Sequence, residues 1–131
     1  MALSLVREDE TEEFEIEPFT PHFQLLFPTH ETSTIALIDS GVDCNVMSYE
    51  TWKSLGKPEL IQSKLLFKNF FGTKTANLGK LFIKPRLQDQ PMHLVFHVAN
   101  EQQASVNVVL GRHWIGATNC QIHWTSRKYS L

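Results

Sequence analysis

From residue 22 onwards, apolar side chains recur mainly at every second position, in short runs broken by turn residues. That is the period of strands with one buried face, and it places the chain in a mostly β class. His22-Phe23-Gln24-Leu25-Leu26-Phe27 reads as a strand, Pro28-Thr29-His30-Glu31 as its turn, and residues 32–38 as the returning arm of a hairpin. Asn45-Val46-Met47 resumes an extended path. Ser48 then caps a short helix over residues 49–55, with Gly56 at the C-terminal cap and Pro58 just beyond. Residues 60–67 and 75–84 flank a loop, Lys68 to Lys74, that predicts a long hairpin turning at Gly72. Gln88-Asp89-Gln90-Pro91 is a turn, residues 92–98 a strand, residues 100–104 a polar loop, and residues 106–110 another strand. A second short helix over residues 111–117 and a last strand over residues 120–124 complete the pattern.

One strand ends in chemistry. Ile35-Ala36-Leu37-Ile38 is apolar throughout, which predicts burial on both faces, and it stops abruptly at Asp39-Ser40-Gly41. Asp, Ser and Gly are favoured turn residues, so the triplet alone fits an ordinary turn. A carboxylate delivered by a buried strand and fixed by a tight turn is also how a catalytic acid or base is positioned. Val106-Asn107-Val108-Val109-Leu110-Gly111-Arg112-His113-Trp114-Ile115, about seventy residues on, is a second buried strand that ends in glycine and enters a helix.

Together, Leu37-Ile38-Asp39-Ser40-Gly41 and Val108-Val109-Leu110-Gly111-Arg112 resemble the retropepsin-like, or retroviral-type, aspartic proteases. The wording of Asn45-Val46-Met47-Ser48 and of Leu110 to Ile115 is most similar to the proteases of plant Ty3/Gypsy-type retrotransposon polyproteins. The resemblance covers roughly residues 22 to 125. It implies an acid-protease barrel with one or two short helices and a flap hairpin. It assigns catalysis to Asp39, Ser40 and Gly41, and the substrate-covering flap tip to Phe70, Phe71, Gly72 and Thr73.

Aspartic proteolysis needs two adjacent carboxylates that share a proton, one activating water and the other donating to the carbonyl oxygen. The chain supplies one Asp-Ser-Gly, so the resemblance implies a homodimer in which Asp39 meets its twin on the two-fold axis. Ser40 stands where the family has a hydroxyl that braces the paired loops, and Gly41 allows close approach. The terminal segments would build an interface sheet, and the substrate would be an extended polypeptide bound as an added strand. No metal or organic cofactor is implied. Val42 stands where alanine is usual, and Asp43 and Cys44 place polar or reactive groups near the dyad. Asp43 itself is expected to top the loop or make a surface hydrogen bond.

Length and composition narrow the setting. A chain of 131 residues with 42% hydrophobic content suits one domain with a modest core. No apolar run approaches membrane-spanning length and the N-terminus lacks a signal-peptide layout, so a soluble, cytoplasmic protein is expected. The resemblance extends that setting to virus-like particles. Cys44 and Cys120 are expected as free thiols. His93 and His97 share a strand face but lie roughly 13 Å apart along it, too far to hold one ion, and predict a surface or substrate-facing stripe. Residues 1–17 carry seven acids against Arg7, a net of −6, whereas the rest of the chain carries +4. Residues 1–20 therefore read as an acidic, disordered tail or linker, and residues 21–131 as the protease-like domain.

Two other readings compete. The same fold could serve as a catalytically weak or inactive binding and dimerisation module. A small nucleic-acid-binding barrel would use Phe67, Phe70 and Phe71 for stacking, with Lys64, Lys68 and Lys74 nearby. A charge of +4 is modest for that role, and nucleic acid is not the expected partner.

Overall fold

In the computed structural model, residues 5–6, 15–16, 22–68, 71–100, 106–118, 120–123 and 128–130 are described. The strands are β1 (Leu5–Val6), β2 (Glu15–Ile16), β3 (His22–Phe27), β4 (Thr32–Ile38) and β5 (Val46–Met47), followed by helix α1 (Tyr49–Ser54). Next come β6 (Leu66–Lys68), β7 (Lys74–Ala76), β8 (Gly79–Ile83), β9 (Arg86–Leu87), β10 (Gln90–Pro91), β11 (Leu94–Val98) and β12 (Val108–Leu110). Helix α2 (Arg112–Thr118), β13 (Gln121–His123) and β14 (Lys128–Ser130) end the chain.

An eight-stranded sheet in the order β10-β9-β3-β4-β12-β5-β11-β8 carries the domain. Strict alternation in β3 sends Phe23, Leu25 and Phe27 inward, and all six of its residues pair with β4. β12 and β4 run parallel, as do β11 and β5. Ala36, Val108, Met47 and Val98 therefore align across four strands, each fully buried. Phe27, Phe96, Leu25, Leu87 and Leu110 fill the rest of the core, with Trp114 of α2 edge-on to Phe23. Emptying such a site by Phe96→Ala costs about 3–5 kcal/mol.

The apolar run of β4 is not buried on both faces as its composition predicts. Ala36 and Ile38 enter the core, Leu37 is half-buried, and Ile35 is 55% exposed. At β4 the core covers one face, and Ile35 and Leu37 belong to the other. The residue 92–98 strand starts two residues late, at Leu94, and both its faces are covered at His97. Gln88 and Asp89, both at positive φ, make the turn expected there, and two-residue strands β9 and β10 extend it into a small hairpin.

Ser48 caps α1 as its position predicts, its oxygen accepting the Thr51 N–H at 3.1 Å, and Gly56 at φ 83° takes the chain out of the helix. The residue 60–84 region divides into two units. Among the described residues β6 and β7 pair only with each other, whereas β8 joins the large sheet. Gly79 begins β8 at φ 145°, where a Cβ would lie 2.9 Å from the Ile61 carbonyl oxygen. At the termini, β1 pairs with β2 inside the acidic segment, and β13 pairs with β14.

Candidate active site

The site is built where two parallel strands end together. The Asp39 N–H donates to the Leu110 carbonyl at 3.0 Å, extending the β4–β12 ladder by one residue. The chain then turns sharply, the Val42 N–H reaching back to the Asp39 carbonyl at 3.3 Å. Inside that turn the Asp39 carboxylate accepts the Gly41 N–H at 2.8 Å on Oδ1, which fixes its orientation. A Cβ at Gly41 would come within 3.1 Å of the same oxygen, so glycine keeps the loop close to the carboxylate. Asp39 is half-buried, and Ser40 and Gly41 are exposed. The three predicted catalytic positions thus form one turn at the sheet's strand ends.

The following loop clasps the junction of β12 and α2. The Arg112 N–H donates to the Val42 carbonyl at 2.7 Å and the His113 N–H to the Asp43 carbonyl at 3.2 Å. Gly111 lies beneath them, because a Cβ there would be 2.6 Å from the carbonyl oxygens of both Val42 and Cys44. The Arg112 guanidinium pairs with the Asp43 carboxylate across the outside of this contact. Asp43 does make a surface interaction, yet its partner is 69 residues away and escaped the sequence reading. Both side chains are largely exposed, so the pair adds little stability by itself. An acid four residues after Asp39 and a base directly after Gly111 were the available signal. Cys44 is half-buried, and burial pushes its thiol up; a backbone hydrogen bond works against this, and the Asp43 charge adds to it. The thiol is therefore held protonated and poorly nucleophilic.

Cross-strand register lines up one row of residues behind the carboxylate turn. Leu37, Val109, Val46, His97 and Lys80 are successive partners across β4, β12, β5, β11 and β8. Strand alternation puts this row on the face away from the core, with Asp39 two residues beyond Leu37. His97 is 5% exposed, and neither ring nitrogen has a hydrogen-bond partner among the described residues. Burial pushes the imidazole below its ordinary range, and the Lys80 charge adds to this. His93 is exposed, so the two histidines do not form one surface stripe.

The hairpin β6–β7 pairs Leu66 with Ala76 and Lys68 with Lys74, and residues 71–73 are the described part of the connection between them. Gly72 turns at φ 85° and Phe71 is 89% exposed. Thr73 is exposed, and Phe70 lies outside the described residues. At the base, Asn77 Nδ2 donates to the Leu65 carbonyl at 2.7 Å. Among the described residues, no three His, Cys, Asp or Glu side chains are placed to hold a metal ion. No helix among them is long and apolar enough to cross a membrane.

No protein-family model and no curated protein matches the chain. Solved structures do. The retroviral protease-like domain of Ddi1 from Leishmania major superposes with a TM-score of 0.67 at 12% identity, over 86% of this chain and 89% of that one. EIAV protease, in complex with the inhibitor HBY-793, gives 0.62 at 15% identity, over 87% and 97%. The fold is retropepsin-like. Within it, the Asp39 turn, the glycine-centred β12–α2 junction and the β6–β7 hairpin are the elements to which the sequence motifs pointed.

Proposed function

We propose that this chain is an aspartic endopeptidase that acts as a homodimer, each protomer contributing one Asp39. The observation that carries the reading is the Asp39 turn: a half-buried carboxylate at the end of a core strand, oriented by the Gly41 N–H in a retropepsin-like fold. Two such carboxylates brought together share one proton, because like charges in contact do not both ionise. The ionised member takes a proton from water as it attacks the scissile carbonyl carbon, and the protonated member donates to the carbonyl oxygen. Collapse of the tetrahedral diol then passes a proton to the leaving amine, and the C–N bond breaks. Ser40 braces one loop against its twin, while Phe70, Phe71, Gly72 and Thr73 close over an extended peptide. The substrate we favour is a retrotransposon polyprotein of the plant Ty3/Gypsy type, met in the cytoplasm or inside virus-like particles.

The test is digestion of a mixed peptide library at mildly acidic pH, with Asp39→Asn alongside. Cuts that vanish in the variant support the endopeptidase. A second reading, a protease-like domain kept for binding or dimerisation, draws on the similarity to a domain described as retroviral protease-like. It predicts no cleavage by either protein and partner binding that survives Asp39→Asn.

A further inference from the structure

Asn45 lies between the Asp39 turn and β5, and its side chain bonds to two distant parts of the chain. Its Oδ1 accepts the Gly111 N–H at 3.1 Å, and its Nδ2 donates to the Val95 carbonyl at 3.2 Å. Those partners are 66 and 50 residues away in sequence. Its own carbonyl accepts the His97 N–H at 2.9 Å. One residue therefore joins the loop after Asp39, the β12–α2 junction and strand β11.

The chemistry requires an amide. Gly111 is buried, and its N–H lies just past the end of β12, where the preceding carbonyl, Leu110, already serves Asp39. The Asn45 oxygen satisfies that buried donor. The Val95 carbonyl needs a donor, which the Asn45 NH2 supplies and a carboxylate would not. Gly111 has no room for a Cβ beneath the Val42 and Cys44 carbonyls, so loop and junction are in direct backbone contact. A slip of the loop over the junction would carry the Asp39 turn with it, since Asp39 is bonded to the residue just before Gly111.

We propose that Asn45 is a positioning residue for the Asp39 carboxylate, holding the catalytic turn at a fixed distance from β11 and from the β12–α2 junction. It rests on the aspartic protease reading of the same site. In a two-fold dimer each misplaced turn enters the dyad from both sides, so a small displacement acts twice on the carboxylate pair.

The experiment compares wild type with Asn45→Asp, which keeps shape and loses the donor, and with Asn45→Ala, which loses both bonds. Three readouts are taken: kcat and KM separately on a peptide the wild type cuts, dimer mass, and amide hydrogen exchange. Expected is a kcat lowered about 10- to 100-fold in Asn45→Asp with KM within about twofold and the dimer intact. In Asn45→Ala, which leaves the Gly111 N–H without its acceptor, exchange protection should fall at least about tenfold at Gly111, Asp39 and Gly41 and stay unchanged at Leu25 and Phe27. Wild-type kcat in Asn45→Asp, or protection lost evenly through the domain, overturns the proposal. If wild type cuts nothing, the endopeptidase reading fails by itself. The exchange pattern then still decides whether Asn45 holds the turn, and unchanged protection at Asp39 and Gly41 overturns that role.

Discussion

Two glycine-to-alanine changes, five residues apart, should move stability in opposite directions. At Gly111 an added Cβ would sit 2.6 Å from the carbonyl oxygens of Val42 and Cys44, and ordinary contact begins near 3.4 Å. Both obstacles are main-chain atoms, so relief requires the loop to move by about 0.8 Å. Overpacking of that kind costs about 1–3 kcal/mol. The same displacement stretches the Arg112 N–H to Val42 and Gly111 N–H to Asn45 bonds, each worth about 1 kcal/mol. Gly111→Ala should thus lose roughly 3 kcal/mol, a large part of a typical domain's stability. At Gly116, inside α2, no atom of the described residues other than its chain neighbours and its own helix backbone lies within 4 Å of the new Cβ. There the gain from reduced backbone freedom should stabilise by about 0.5–1 kcal/mol. Denaturant unfolding of both variants against wild type supplies the assay, with the midpoint read at constant m. A Gly111→Ala unfolding free energy within about 0.5 kcal/mol of wild type would refute the clasp between the Asp39 loop and the β12–α2 junction.

Other sites give smaller or more selective effects. Ser48→Ala removes the α1 cap from a buried position and should cost about 1–2 kcal/mol by the same unfolding assay. Phe71→Ala, at an exposed hairpin tip, should change stability by less than about 0.5 kcal/mol while raising KM severalfold in peptide cleavage. His97 is held neutral by burial and by Lys80, so the unfolded chain binds the extra proton first as pH falls through about 6.5. Stability should therefore decline with falling pH from there down to the lowered folded-state value. In His97→Leu that part of the decline should disappear from unfolding midpoints measured between pH 8 and pH 5.

Local pattern made much of this architecture legible. Alternation in β3, the Ser48 and Gly56 caps and the Gly72 turn each depend on residues within one short segment, and each falls where the pattern puts it. The turn at Asp39-Ser40-Gly41 was legible for the same reason, since all three are favoured turn residues placed directly after a strand. What escaped depends on residues far apart in the chain. Ile35 is apolar yet exposed, because the pattern cannot tell a strand buried on two faces from one with a single covered face. The Arg112 pairing with Asp43 and the two bonds of Asn45 require β12 to lie parallel to β4 and β5 parallel to β11, and no local signal specifies those neighbours. Strand β14 pairs with β13 outside the pattern read from the sequence, and strands β9 and β10 are too short for period two to register.

If each active site takes one Asp39 from each of two chains, mixing intact and mutated subunits should reveal it. Wild type and Asp39→Asn are combined at fixed total concentration, allowed to exchange, and assayed on a peptide the wild type cuts. If both carboxylates are needed at one site, an equal mixture retains about one quarter of the all-wild-type rate, because only a quarter of randomly formed dimers carry two intact aspartates. A rate near one half would mean that each chain works alone, and would contradict the shared dyad.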